Sequence, residues 1–281
     1  MSASDTALPM AWPSRRYTPR YAAWPYTPSD FARADESPDA LFYAAPRFVT
    51  HIDSSAIARL SAYYGTTLPR SGTLLDFCSS WTSHYPPEVV AAARGGSGSS
   101  TSTSTSRGTL RVLGAGLNAA ELRRNELLTG DSARIVQDLN EDPDLEPALR
   151  AAVEGMEGAA ERGLLDAATC VVSIDYLARP LEVLSSVRRC MSAGASVHLA
   201  VSNRAFWDKV VRRWMAVGED ERLLMVADYL HFAGFEDVEI VDLCAPDEQP
   251  KGWMAMFGSM ESDPLWVVRG KNPGGSKVND E

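Results

Sequence analysis

LLDAATCVVSIDYLARPLEVLSSVRRCMSAGASVHLAVS, residues 164–202, carries the pattern that sets the fold. Residues 164–175 have a nearly continuous apolar interior, as a strand buried on both faces requires. Pro180 then opens a helical stretch, and Gly194 is its expected stop. ASVHLAVS, 195–202, is a second buried strand. A strand, a helix and a strand in this order predict a parallel pair joined by a crossover.

The unit repeats outward in both directions. Upstream, TLLDF (73–77), TLRVLGAG (109–116) and ARIVQDL (133–139) read as strands. HYPPEVVAAARGG, NAAELRRNELL and EPALRAAVEGMEGAAERG read as the intervening helices, the second capped by Asn118. Downstream, AFWDKVVRRWMAV and ERLLMVADYLHFAG read as helices, and FEDVEIVDL (235–243) and PLWVVRGK (264–271) as strands joined by a long loop. The pattern predicts an α/β fold, a doubly wound and mostly parallel sheet with one antiparallel strand near its edge.

One domain over 71–272 accounts for this pattern. Residues 1–70 form an N-terminal arm and helical extension expected to pack on it, and 273–281 a disordered tail. The arm is rich in Pro, Tyr and Trp and has no period; Trp24 and Tyr26 either pin it to the domain or leave it disordered. IDSSAIARLSAYYG is a helix capped by Asp53 or Ser54 and ended by Gly65. GGSGSSTSTSTSRG (95–108) lacks apolar anchors and is expected to be a flexible loop.

The chain has 281 residues and a formal net charge of −10, which disfavours a nucleic-acid partner. Lys209, Arg212 and Arg213 are the best candidate basic patch, but read more readily as a solvated helix face. No apolar run approaches the roughly 18 residues of a membrane span. Cys78, Cys170, Cys190 and Cys244 lack the spacing of a zinc or redox site, and His51, His84, His198 and His231 are not spaced as metal ligands. His198 reads as a core histidine. No metal is expected. A cytoplasmic location is expected; the alternative is an organelle, because the acid-poor start carries Arg15, Arg16 and Arg20.

Ligands of such sheets sit beyond the carboxyl ends of the strands, near the switch in strand order. Those ends are DFCSSW, GAGLN, QDLN, VSIDY and VSNRAF. Together with RVLGAGLNAAELRRN (111–125), they resemble the S-adenosylmethionine (SAM)-dependent methyltransferases, type 11-like, over residues 72 to about 271. DESPDALFYAAPRFVTHID, DFCSSWTSHYP, QDLNEDP, SIDYLARPLEV and SNRAFW are similar to a narrower methyltransferase-like subfamily of plants, algae and bacteria.

The resemblance implies a Rossmann-like methyltransferase fold with SAM as cofactor. It puts Asp76, Cys78, Ser79 and Ser80 beside the amino-acid part of the cofactor, and Gly116 and Asn118 beside the ribose. Asp138 and Leu139 fall beside the adenine, and Ser173 near the methyl group. Asp175 and Tyr176 become the catalytic candidates, and His84, Asn203 and Arg204 the acceptor-binding ones. Two departures stand out. The first loop has no glycines, and Trp81 either walls or plugs the pocket. Gly116 stands where the family holds its ribose-binding acid, so Gly116→Asp is expected to tighten SAM binding. Asn118 is a neutral substitute whose plain role is the helix cap. GWMAMFGSM is either a lid over an apolar acceptor or the cover of a sheet edge.

Two functions follow. One is a SAM-dependent methyltransferase acting on a small-molecule or lipid-like acceptor. The alternative is a catalytically inactive methyltransferase fold that binds or scaffolds with a degenerate cofactor site. A nicotinamide dehydrogenase ranks last, since no GxGxxG follows the first strand.

Overall fold

The computed structural model describes residues 11–95, 109–154, 163–244 and 262–274. The expected flexible loop from residue 96 on, the GWMAMFGSM segment and the tail from residue 275 lie outside the described residues.

The strands are β1 (Ser14–Arg16), β2 (Gly72–Phe77), β3 (Leu110–Gly116), β4 (Arg134–Val136), β5 (Leu165–Val171), β6 (Met191–Ser202), β7 (Glu236–Asp242) and β8 (Leu265–Lys271). They form one sheet in the order β1-β7-β8-β6-β5-β2-β3-β4. The pairs from β6 to β4 are parallel. β8 runs antiparallel to both β6 and β7, and β1 antiparallel to β7. This is the doubly wound, mostly parallel α/β sheet that the alternating pattern implies, with its antiparallel pairing at one edge. The β1 strand comes from the Pro-rich arm, where no strand period was visible.

Helices cover both faces. They are α1 (Asp39–Phe42), α2 (Ser54–Thr67), α3 (Pro87–Gly95), α4 (Ala119–Arg124), α5 (Glu146–Ala152), α6 (Pro180–Cys190), α7 (Arg212–Ala216) and α8 (Glu219–Phe232). Gly270 pairs with Val197, and its missing Cβ would lie 3.5 Å from Leu230 of α8. The next residue on β6, His198, points the other way and bonds Tyr63 of α2 at 2.8 Å. Successive residues of one strand therefore serve the two helical layers. Burial pushes the His198 imidazole down to about 3, so it is the neutral core histidine expected.

Three local expectations change. α6 ends at Cys190, four residues before Gly194, because Met191 turns extended and starts the long β6 strand. α2 runs past Gly65 to Thr67. The stretch 205–217 is helical only over α7. There the chain is tied to other elements: Phe206 N donates to the Tyr176 hydroxyl at 2.8 Å, and Val211 bridges to Arg33. Lys209 is fully buried, neither a basic patch nor a solvated face, and pairs with Asp35 at 3.1 Å and Asp39 at 3.2 Å. Arg213 pairs with Asp30 and Glu221.

From residue 11 on, the described part of the arm is tied to α8. Asp228 of α8 is fully buried and accepts from Tyr17, Arg20 and Tyr26. Trp24 stacks on Phe31 with ring centroids 6.0 Å apart. The following segment then crosses the carboxyl ends of the strands.

Candidate functional site

The strand order reverses between β2 and β5, and a cavity of about 470 Å³ opens beyond the carboxyl ends of the strands there. Its floor is made by the loops after β2, β3, β4 and β5, and one side by the turn after β6. Its roof is the stretch Tyr43 to Ile52.

Asp76, the penultimate residue of β2, lies inside the floor. It is 3% exposed and accepts hydrogen bonds from Ser79 Oγ and Ser83 Oγ, both at 2.7 Å, and from Thr169 Oγ1 at 3.3 Å. Burial raises its pKa to about 6, against the pull of those three hydroxyls. The backbone then takes a left-handed turn at Cys78, φ 54°. This is the conformation a glycine would supply, adopted here without one. His84 (φ 54°) and Val172 (φ 42°) share it, so three strained non-glycine residues lie on the cavity wall. Strain of this kind persists only where surrounding contacts over-determine it.

Gly116 ends β3 and lines the floor, but a Cβ there would collide with the Ser79 carbonyl oxygen. The first loop lies against the end of β3, so an acid cannot be added at Gly116 without moving that loop. The expectation that Gly116→Asp tightens binding is therefore corrected. Asn118 is committed on both sides of its amide. Its Oδ1 accepts from Ala120 N and Glu121 N, and its Nδ2 donates to the carbonyls of Tyr43 and Ala44. It caps α4 and holds the roof down.

Glu121, which sequence reasoning missed, brings a carboxylate to the cavity from the first turn of α4. It lines the cavity, accepts from Ser80 Oγ at 2.6 Å and from Arg47 N at 2.7 Å, and keeps a lone pair on each oxygen. Asp138 and Leu139 line the cavity after β4; Asp138 Oδ1 accepts from Asn140 N at 3.0 Å. Ser173 and Tyr176 line it after β5. Burial, with Asp175 nearby, holds the Tyr176 phenol well above its usual range.

Two sequence candidates lie off the wall. Asp175 is buried behind it, its Oδ2 without a hydrogen-bond partner, and burial pushes its pKa up to about 8. Asn203 is exposed and bonds its neighbour Ser202. Arg204 and His84 do line the cavity, but Arg204 is paired with Asp263 at 2.7 Å. Trp81 walls the cavity rather than plugging it, donating from Nε1 to the Val49 carbonyl at 3.1 Å.

Arg47, His51 and Phe206 complete the roof and side; they fall inside the segments of the narrower resemblance, but no period or chemical spacing singles them out there. Burial lowers the His84 pKa to about 4, and His51 adds to this; burial followed by Arg47 lowers that of His51. Both imidazoles are neutral at neutral pH. Among the described residues, no group of three His, Cys, Asp or Glu side chains is placed to hold a metal ion. No described helix is long and apolar enough to cross a membrane.

No family model and no curated protein matches the chain. Solved structures similar to it include the [4+2]-cyclase SpnF and SAM-dependent methyltransferases. One from Archaeoglobus fulgidus is 13% identical over 76% of this chain and 92% of its own, with a TM-score of 0.44. One from Mesorhizobium loti is 13% identical over 75% and 96%, TM-score 0.42. Phosphoethanolamine N-methyltransferase 2 of Haemonchus contortus, solved with SAM, is 12% identical over 77% and 52%, TM-score 0.42. The fold assignment rests on the strand order and not on these likenesses.

Proposed function

We propose that the protein is a SAM-dependent methyltransferase acting on a small-molecule acceptor. The observation that carries this reading is the cavity at the switch point, where the ends of β2, β3, β4 and β5 converge with a glycine-like turn at Cys78. Its volume falls within the roughly 300–1,000 Å³ of small-molecule sites.

The residues present fit the cofactor with one substitution of role. The loop Cys78–Ser80 would hold the amino-acid end, with Ser173 near the transferred group. Asp138 and Leu139 would hold the base. Glu121, from α4, takes the ribose role that Gly116 and Asn118 cannot fill. SAM, when bound, supplies an electrophilic methyl group on a positively charged sulfur. The chain's own work is to position an acceptor in line with it and exclude water. Tyr176 accepts from Phe206 N and keeps its own O–H to orient the acceptor. His51 and His84 line the cavity and are available to hydrogen-bond it. Asp175 and Asn203 get no contact with the reactants in this reading.

The second reading, a fold that binds without turnover, draws on Gly116 and Asn118: the usual ribose acid is absent and its space is filled. Calorimetric titration with SAM and with its demethylated product tests both. We expect a dissociation constant of about tens of micromolar or weaker, and a further loss of roughly 1–3 kcal/mol in Asp138→Ala. A folded parent that binds neither compound overturns the cofactor assignment. Tight binding of both would remove the degenerate-site argument on which the second reading draws.

A further inference from the structure

The Arg47 guanidinium is the feature of the cavity that nothing above explains. Among the described residues it forms no ion pair, whereas Arg204 on the same wall has Asp263. Its Nη1 is buried without a hydrogen-bond partner, and Nη2 makes only a long bond, 3.3 Å, to the Phe42 carbonyl. The head lies 4.4 Å from the Phe42 ring centroid, 5.1 Å from that of Phe206 and 5.7 Å from that of Tyr43. Rings that face a cation hold it in place but do not satisfy its N–H groups. A buried guanidinium with an unused donor costs free energy unless something bonds it.

The other charged groups on the wall are already engaged. Asp39 serves Arg33, Lys209 and Asn140, and Asp76 serves Ser79, Ser83 and Thr169. Glu121 receives Arg47 N, but among the described residues no carboxylate forms an ion pair with the Arg47 guanidinium. Next to Arg47 in the chain, Phe48 packs edge-on to Trp81 of the wall and Val49 lines the cavity, yet they are 49% and 57% exposed.

We propose that Arg47 binds the carboxylate of the acceptor, which makes the substrate a small organic acid with an apolar, ring-compatible body. This rests on the methyltransferase reading only in calling the bound acid the acceptor. A monoanion suits the site better than a phosphate dianion, because four carboxyl-bearing residues, Asp39, Asp76, Glu121 and Asp138, share the cavity.

The test uses the full chain with benzoate, benzamide and phenyl phosphate as probes, and S-adenosylhomocysteine as cofactor probe, all by calorimetry. Benzoate is expected to bind at least tenfold more tightly than benzamide and more tightly than phenyl phosphate, and to weaken with added salt. Arg47→Met should bring benzoate and benzamide within twofold of each other and leave S-adenosylhomocysteine within twofold of the parent. Arg47→Lys should keep part of the preference, having the charge without the fork. Equal binding of benzoate and benzamide by the parent overturns the proposal, and needs no variant to fold. A phenyl phosphate preference overturns the acid class. A loss of S-adenosylhomocysteine binding above tenfold in Arg47→Met also overturns it, by assigning the guanidinium to the cofactor. If S-adenosylhomocysteine fails to bind the parent while the benzoate preference stands, the cofactor reading falls and the anion site survives.

Discussion

The floor and the roof of the cavity are built on opposite principles. On the floor, polar groups are matched within the protein: Asp76 with three hydroxyls, Asn118 with four backbone groups, Ser79 closed against the end of β3. On the roof, a guanidinium has an unused donor and apolar side chains stand in solvent. A matched network fixes shape, and an unmatched group waits for a ligand. The difference teaches that polarity alone does not locate recognition here; on the cavity wall it is the donor without a partner, Arg47 Nη1, that sets the roof apart from the floor.

The largest expected effect breaks the comparison by detaching the roof. Lys209 bonds Ser37 O at 2.7 Å and pairs with Asp35 and Asp39, just before the roof begins. Lys209→Met leaves Asp39 buried without part of its countercharge and should cost about 3–5 kcal/mol in urea unfolding. A loss under 1 kcal/mol would mean the roof is held by other contacts.

The floor should resist change at Gly116. Gly116→Ala is expected to lose about 1–3 kcal/mol of stability by overpacking against Ser79. Gly116→Asp should lose at least as much and gain no affinity for SAM. Tighter binding in Gly116→Asp would show that the Ser79 loop yields easily and that the floor is not closed.

Asp175 sharpens the contrast from behind the wall. Its carboxyl is pushed up to about 8, so the folded chain holds this proton more tightly than the unfolded one. Its stabilising contribution is full below about pH 4, where both states are protonated, and is lost as pH rises towards about 8. The slope approaches about 1.4 kcal/mol per pH unit within that window. Asp175→Asn should flatten that part of the stability profile. An unchanged profile would mean that the carboxyl finds a partner in solution.

The smallest effect belongs to Asn118. Asn118→Ala removes the α4 cap and two bonds to the roof, and should cost about 1 kcal/mol in thermal or urea unfolding. SAM affinity should stay within twofold. A tenfold loss would return Asn118 to the ribose.

Most of the sheet was legible in the chain because its strands are short apolar or alternating runs set between helical segments, and β2, β3, β5, β6, β7 and β8 lie where those runs do. Helix α7 was overextended because residues 205–211 have helical composition, yet Phe206, Lys209 and Val211 are each tied to another element. The floor residues were found because they sit at strand ends, which the topology fixes. Asp175 was placed at the right strand end, but one position in a tight turn decides whether a side chain faces the cavity or the core.

By itself the sequence determined the alternation of strand and helix, hence the layers and the place of the crevice, because periodicity and caps are local properties of the chain. Only the tertiary structure decided that the Ser79 carbonyl fills the space beside Gly116, that Glu121 supplies the carboxylate there, and that Arg47 is brought over the site with a donor to spare. These depend on contacts between segments tens of residues apart, where burial and unused hydrogen bonds, not local pattern, set what each side chain can do.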